Sequence, residues 1–437
     1  MQQCAPLFGR RETRQRAEQY LHGLLVQREE RRNAENLAEA IPAATPRALQ
    51  RFVSEAPWDA AAVIDTVQAV VSEQVGSAQG VFVLDETGFV KQGRQSVGVA
   101  RQYCGTLGKV GNCQVAVVLG YVGVHGQSLI DGALYLPRQW TDDPERCQRA
   151  GVPAAATFQT KAQLGLGLLR QAGQRGHLPG NWVTADELYG QDPALRDALD
   201  ADGRWYVLEV PRTTTVFLEE PTIAVPAWSG RGPRPRLPAL TAASARPVAV
   251  QAVLADLAAQ AWQVLQVGEG AQGPRRYQFV GRRVWEHRAG LPGRACWLVL
   301  RRNLDGSEEK AYLSNAPADT PLVTLGRVGA QRWSVETLIE QAKGEGGLDE
   351  YEVRGWRGWY HHLAMVLLAT TFLLTIQQAW GEKPAGGDHS PDQPDGANAA
   401  AAPRLDGGAV VQLAQRHPSA QSACPPVACS TARARSG

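Results

Sequence analysis

Cysteine is scarce and badly placed for a covalent or thiolate framework. The 437 residues hold seven, at positions 4, 104, 113, 147, 296, 424 and 429, odd in number, scattered and without a C-x-x-C pair. That pattern excludes a disulfide scaffold, a zinc finger or a redox dithiol, and leaves reduced thiols. Long apolar runs are missing too. The longest, Leu363 to Ile376, has 14 residues, short of the roughly 20 that a membrane-spanning helix needs, and reads as a buried helix. The opening MQQCAPLFGRRETRQR has no charged segment followed by an apolar core, so no signal peptide is expected and the cytosol is the expected compartment. There is no G-x-S-x-G elbow for a serine hydrolase and no internal repeat. Net charge is only +2, which excludes a polycation.

The charge that is present is unevenly spread. From Pro211 to Lys310 the chain has 14 Lys+Arg against 8 Asp+Glu, a local excess of +6, with the doublets Arg275-Arg276, Arg282-Arg283 and Arg301-Arg302. A basic stretch in a near-neutral chain suits a phosphate-backbone partner, although solvated faces carry such doublets as well. Trp228, Trp262, Trp285 and Trp297 lie in or beside it, each a candidate for stacking on an unpaired base and each also a candidate core residue.

The pattern along the chain indicates an α/β protein. Residues 1 to about 75 show helical spacing, as at Tyr20, Leu21, Leu24 and Leu25, and read as a small helical domain whose arginines (10, 11, 14, 16, 28, 31 and 32) could meet DNA. VFVLDETGFVKQG, Val81 to Gly93, opens with four consecutive apolar residues, the signature of a strand buried on both faces. Asp85 is expected at its C-terminal end, with Glu86 pointing the other way. Cys113–Tyr121 and Ser128–Leu136 read as a paired hairpin, Phe158–Gly173 as a helix, and Trp182–Ala185 as a buried strand ending at Asp186. A helix over Asp192–Leu199 and a strand over Trp205–Val210 follow. Strand, hairpin, helix, strand, helix, strand is the order of a mixed sheet with flanking helices. Thr213–Leu325 is rich in Pro, Gly and short Val/Leu/Arg runs and reads as a mostly β insertion. Gln331–Lys343 and Gly355–Trp380 return to helical spacing, and Pro384–Gly437 has a composition expected to remain disordered.

Three carboxylates stand out. Asp85 and Asp186 close two buried strands, and adjacent strands would set them side by side. On the helix after the insertion, Arg332, Glu336, Glu340 and Lys343 recur at three- and four-residue spacing and share a face. Converging carboxylates can hold Mg²⁺, a hard cation that keeps positions open for phosphate. Two such ions roughly 4 Å apart can activate a water or 3′-hydroxyl and stabilise the leaving oxygen of a phosphodiester. Arg332 and Lys343, with Lys91, Arg94 and Arg101 after the first Asp, are the residues expected to hold the DNA strand.

Four stretches together resemble a known family. They are the Asp85 to Val117 run (DETGFVKQG followed by SVGVARQYCGTLGKVGNCQVAV), LPRQWTDDPERC (Leu136 to Cys147), WVTADELYG (Trp182 to Gly190) and RWSVETLIEQAKGEGGLDEYEVRGWRGWYHH (Arg332 to His362). In this order they resemble DDE transposases of the insertion-sequence 701 type, over roughly residues 10 to 380. The resemblance implies a ribonuclease H-like mixed sheet with flanking helices, interrupted by a β-rich insertion and preceded by a small helical domain. The implied segments are 1–75 helical and DNA-binding, 76–212 the first part of the catalytic domain, 213–325 the basic insertion, 326–383 its helical end, and 384–437 a low-complexity tail. Asp85, Asp186 and Glu336 match the catalytic and metal-binding carboxylates, with two Mg²⁺ ions for which Mn²⁺ can substitute. Partners implied are double-stranded DNA, both transposon terminal inverted repeats and target DNA, with a dimer formed on DNA, a nucleoid-associated location and no membrane. The related signature Tyr-x2-Arg-x3-Glu-x6-Lys fits Arg332, Glu336 and Lys343, but its Tyr position is Gly329 here. Two other readings stay open: a catalytically silent transposase-derived DNA-binding protein, and a ribonuclease H-like nuclease without strand transfer.

Overall fold

Each N-terminal helix after the first starts where a short polar side chain can cap it. In the computed structural model, which describes residues 4–27, 30–228, 230–270 and 273–381, these helices are α1 (Arg11–Val26), α2 (Ala34–Ala40), α3 (Pro46–Ser54) and α4 (Ala60–Val75). Asn33 accepts from the backbone N–H groups of Glu35 and Asn36, Thr45 from Ala48 with Pro46 in the first turn, and Asp59 from Ala61. Their apolar faces, including Leu24, Leu37, Phe52 and Val67, belong to the same hydrophobic core as the central sheet. Arg32 corrects one expectation. It is buried, donates to the carbonyls of Leu24 and Gly344 and pairs with Glu350, so it is a structural tie and does not face DNA. Arg28 and the expected tail 384–437 lie outside the described residues.

The central strands are β1 (Val81–Val90), β2 (Ala100–Cys104), β3 (Lys109–Val122) and β4 (Gln127–Leu134). Helices α5 (Arg138–Thr141), α6 (Pro144–Arg149) and α7 (Lys161–Arg175) precede β5 (Trp182–Ala185), and α8 (Glu187–Gly190) and α9 (Pro193–Ala201) precede β6 (Trp205–Val210). β3 lies antiparallel to β1 and to both β2 and β4, whereas β1, β5 and β6 run parallel. Strand order through the centre is therefore β4, β3, β1, β5, β6, a mixed α/β sheet. Val81–Leu84 are fully buried, as a strand covered on both faces requires.

One boundary differs from the sequence reading. β1 does not stop at Asp85 but continues through Gly88 to Val90, because β3 goes on pairing with it from Asp85↔Val118 to Val90↔Cys113. Gly88 permits this, since a Cβ there would lie 2.6 Å from the Cys104 sulfur. What ends near Asp85 is the parallel ladder to β5, whose last pair is Leu84↔Ala185.

Past β6 come β7 (Thr215–Phe217), β8 (Ile223–Ala224), β9 (Ala239–Leu240), β10 (Val248–Ala249) and α10 (Val250–Ala255). They are followed by β11 (Gln263–Gly270), β12 (Gly273–Arg288), β13 (Leu291–Arg302) and β14 (Glu309–Ser314). β14 pairs with β6, so all but β8 and β9 extend the central sheet, around a second apolar cluster that includes Val216, Val284, Leu298 and Leu313. The arginines of this stretch are partly spent on internal pairing. Arg288 and Arg294 bind Asp197, Arg294 also binds Asp200, Arg196 and Arg288 bind the buried Glu286, and Lys310 binds Glu209. Trp228 is exposed, while Trp262, Trp285 and Trp297 are half-buried, Trp297 donating to the Pro317 carbonyl.

The chain closes with α11 (Leu322–Ala330), α12 (Arg332–Gly344) and α13 (Trp356–Gly381). α13 is long and apolar enough to cross a membrane by length and composition, but Leu363 to Leu367 are at most 1% exposed, packed in the core among the N-terminal helices and the sheet.

Candidate active site

Alternation along β1 sorts its two acids onto opposite faces. Leu84 and Glu86 share one face, where a Cβ on Gly165 of α7 would touch Leu84 and where Glu86 ion-pairs with Lys161 at the start of α7. Asp85 therefore turns to the other face, toward α12, which covers the sheet there through Val335 and Leu338 against Gly120. Asp186 follows directly on β5 and caps α8, accepting from the Leu188 N–H at 3.0 Å. Asp85 and Asp186 each stand one residue beyond the Leu84↔Ala185 pair, on neighbouring strands roughly 5 Å apart.

α12 brings the third carboxylate and a cation. Arg332 Nη1 donates to Glu336 Oε1 at 2.6 Å, and its Nη2 lies 4.0 Å from Asp85 Oδ2. Glu340, one turn on, is exposed. Lys343 reaches β1 further along, its Nζ donating to the Gly88 carbonyl at 3.3 Å and to Thr106 Oγ1 at 3.1 Å. The spacing of Arg332, Glu336 and Lys343 thus runs along β1. Arg94 and Arg101 are exposed, whereas Lys91 donates to the Tyr351 carbonyl and sits 3.7 Å over its ring. Burial lowers the Lys91 ammonium to about 8.

The electrostatics of this cluster are those of an acid excess. Asp85, Asp186 and Glu336 share one cation, Arg332, while Glu86 on the opposite face of the sheet pairs with Lys161 yet still adds its charge to Asp186. Burial first, and then the charge of Asp186, push the Asp85 carboxyl up to about 7, although Arg332 and the Glu86 N–H pull it down. Asp186 is raised by burial against the opposing pull of Arg332. Tyr189 is held well above its ordinary range by burial and the charges of Glu86, Asp85 and Asp186. Its hydroxyl is buried without a hydrogen-bond partner, as is Arg332 Nε. As the side chains stand, no three His, Cys, Asp or Glu among the described residues form a set that could hold one metal ion. Arg332 reaches to both Asp85 and Glu336. The donor set nevertheless fits a hard divalent cation: carboxylate oxygens only, Asp85 buried and Asp186 and Glu336 half-buried, and short of positive charge.

Sequence reasoning missed Tyr189 and Lys161. Tyr189 lies three residues after Asp186, one helical turn along WVTADELYG, which was a visible signal; Lys161 carried none. Gly329, where the related signature has Tyr, packs in α11 against Val207 and Tyr312, and a Cβ there would already be 3.3 Å from Val207 Cγ1. A tyrosine does not fit that position.

Residues 3–274 match the family described as DDE superfamily endonuclease. The chain is also 29% identical over 174 residues to a protein of Microchaete diplosiphon named "Probable transposase for insertion sequence element IS701". That match covers 39% of this chain and 42% of the relative, so it spans under half of either protein. Asp85 and Asp186 fall inside the family match, and Glu336 lies beyond it. Endonucleases of this superfamily are generally divalent-metal dependent. The family match takes in more than half of the 437 residues, and the chain accordingly belongs to the DDE superfamily of endonucleases.

Proposed function

We propose that this protein is a transposase that cuts DNA at the ends of an insertion sequence and joins them to target DNA. The observation that carries the reading is the register of β1 and β5, which sets Asp85 beside Asp186 under the helix bearing Glu336 and Arg332. The strand order β4, β3, β1, β5, β6, with three antiparallel strands followed by two parallel ones, supports a ribonuclease H-like catalytic core. On this reading residues 76–212 and 326–383 form that core, 213–325 is a β-rich insertion that carries DNA, and 1–75 contribute further DNA contacts.

Asp85, Asp186 and Glu336 would hold the divalent ions, Mg²⁺ or Mn²⁺. When bound, such ions supply activation of a water or 3′-hydroxyl and stabilisation of the leaving oxygen. The chain's own residues do the rest. Arg332 leaves the acids for the scissile phosphate, a bidentate acceptor suited to its guanidinium. Lys343, fixed on the Gly88 carbonyl, and the exposed Arg94 and Arg101 hold the flanking backbone. α12, packed through Val335 and Leu338, keeps Glu336 over β1.

A plasmid carrying the inverted repeats that flank the gene tests this. The wild type should nick at the repeat ends in Mg²⁺ and yield joined products. Asp85→Asn, Asp186→Asn and Glu336→Gln should still shift the DNA but fail to nick it, while Glu340→Gln keeps measurable nicking. Hydrolysis without joined products would favour a nuclease. Binding without any cleavage would favour a silent DNA-binding relative. A dead Glu340→Gln with an active Glu336→Gln would overturn the assignment of the third carboxylate.

A further inference from the structure

We propose that the hairpin made by β2 and the start of β3 is a wedge that enters duplex DNA beside the acidic cluster, its apolar tip parting base pairs while flanking cations hold phosphates. The inference rests on the reading of the chain as a DNA-cutting enzyme.

Three observations carry it. First, the hairpin shows apolar side chains to solvent. Gly105 to Val110 are all exposed. Tyr103 and Val110 face each other across the two strands at 56% and 55% exposure, and Leu107 at the turn is 39% exposed. Scattered exposed apolar residues are ordinary, but here Tyr103 and Val110 pair on one face of the hairpin while Leu107 lies over Gly111 on the other, so both sides of the tip are apolar.

Second, the charge carried by the hairpin and the chain around it has a single sign, although Asp349 approaches Lys91 and Lys343 from another part of the fold. Residues 88–130 contain Lys91, Arg94, Arg101 and Lys109 and neither Asp nor Glu. Arg101 and Lys109 are exposed on the hairpin itself. Apolar side chains flanked by cations are what proteins insert between base steps, because the cations are drawn to phosphate and the apolar groups replace lost stacking. A second copy of this chain is a poor occupant. Its own hairpin would bring the same charges face to face.

Third, the tip is fixed at a defined distance from the acids. Thr106 Oγ1 donates to the Gly88 carbonyl at 3.0 Å and accepts from Lys343 Nζ at 3.1 Å. Gly88 lies three residues beyond Asp85 on β1, about 10 Å at the rise of a strand. Lys343 lies seven residues beyond Glu336, about 10 Å at the rise of a helix. The hairpin is thus tied to both elements that carry acids, and 10 Å corresponds to about three base pairs of duplex. Base pairs would be opened close to the phosphate being cut.

The full chain in EDTA, so that cleavage plays no part, is titrated with a fluorescein-labelled 30-base-pair duplex and with the same duplex carrying a three-base-pair mismatch bubble. The bubbled duplex should bind about tenfold more tightly, since its base pairs are already unstacked. Tyr103→Ser/Leu107→Ser/Val110→Ser should erase that preference and leave affinity for the paired duplex within about twofold, whereas Tyr103→Phe should keep it. Lys109→Ala should weaken both complexes and reduce the salt slope by about one. The three substituted positions are exposed, and an unchanged melting curve certifies the fold. A wild type that binds DNA without preferring the bubble, or a triple variant that keeps the preference, overturns the wedge alone. Preference retained with a dimer turned to monomer in light scattering overturns it in favour of contact between copies. A wild type that binds neither duplex overturns the wedge together with the DNA-cutting reading.

Discussion

Replacing Asp85 with Asn should stabilise the protein while abolishing its cleavage activity. The buried carboxyl is raised from its ordinary 3.8 to about 7, mainly by burial and then by the charge of Asp186. Below about pH 4 the group is protonated in both folded and unfolded chains and costs nothing. As pH climbs from 4 to 7 the unfolded chain releases the proton and the folded one retains it, so stability falls through that window. Above pH 7 the penalty is complete, and at about 1.4 kcal/mol per pKa unit it amounts to about 4 kcal/mol. Asn removes the charge and can still accept the Glu86 N–H that Asp85 Oδ1 accepts at 2.7 Å. Urea unfolding in EDTA, followed by tryptophan fluorescence, should give equal stabilities at pH 4 and a gain of about 4 kcal/mol for Asp85→Asn at pH 8. Part of the rise comes from Asp186, so the gain should shrink in an Asp186→Asn background, the signature of coupled neighbours. Adding Mg²⁺ at pH 8 should stabilise the wild type through binding to the folded state and leave Asp85→Asn unmoved. A difference independent of pH, or an Asp85→Asn protein less stable than wild type at pH 8, would refute the acid-excess argument.

Other outcomes follow from packing. Glu286→Ala removes the acid, 1% exposed, that Arg196 and Arg288 share, leaving Arg196 only the Gly190 carbonyl and Arg288 only Asp197, and should cost about 3 kcal/mol in unfolding free energy; a loss below about 1 kcal/mol would mean that those remaining acceptors suffice. In Gly190→Ala the new Cβ would lie 1.8 Å from the Glu209 carbonyl oxygen, pushing α8 and its capping Asp186 off β6, at a cost of about 3 kcal/mol. Gly167→Ala in α7 is the control, because its Cβ meets nothing within 4 Å, and it should stabilise by up to about 1 kcal/mol. Trp228→Ala, at an exposed site in the expected insertion, should impair second-strand processing while first-strand nicking persists; equal loss of both steps would indicate misfolding.

Local chemistry was legible in the sequence wherever one element could reveal it alone. Four consecutive apolar residues marked Val81–Leu84 as doubly buried, the Asp after WVTA marked the end of β5, and three- and four-residue spacing put Arg332, Glu336 and Lys343 on one helix face, because periodicity is a property of a single segment. What depends on a partner strand or helix was not legible. Asp85 lies mid-strand because β3 outlasts β5 as its neighbour, a register that nothing in VFVLDETGFV encodes. Much of the +6 excess of residues 211–310 is met by Asp197, Asp200 and Glu209, acids that precede it in the chain and reach it only when β14 adds to β6. Arg332 joins Asp85 to Glu336 across 251 positions (336 − 85) of sequence. The segments were determined locally by burial and backbone hydrogen bonding, whereas which charges meet was decided by the tertiary fold, since a Coulomb interaction depends on separation in space and on the burial around it.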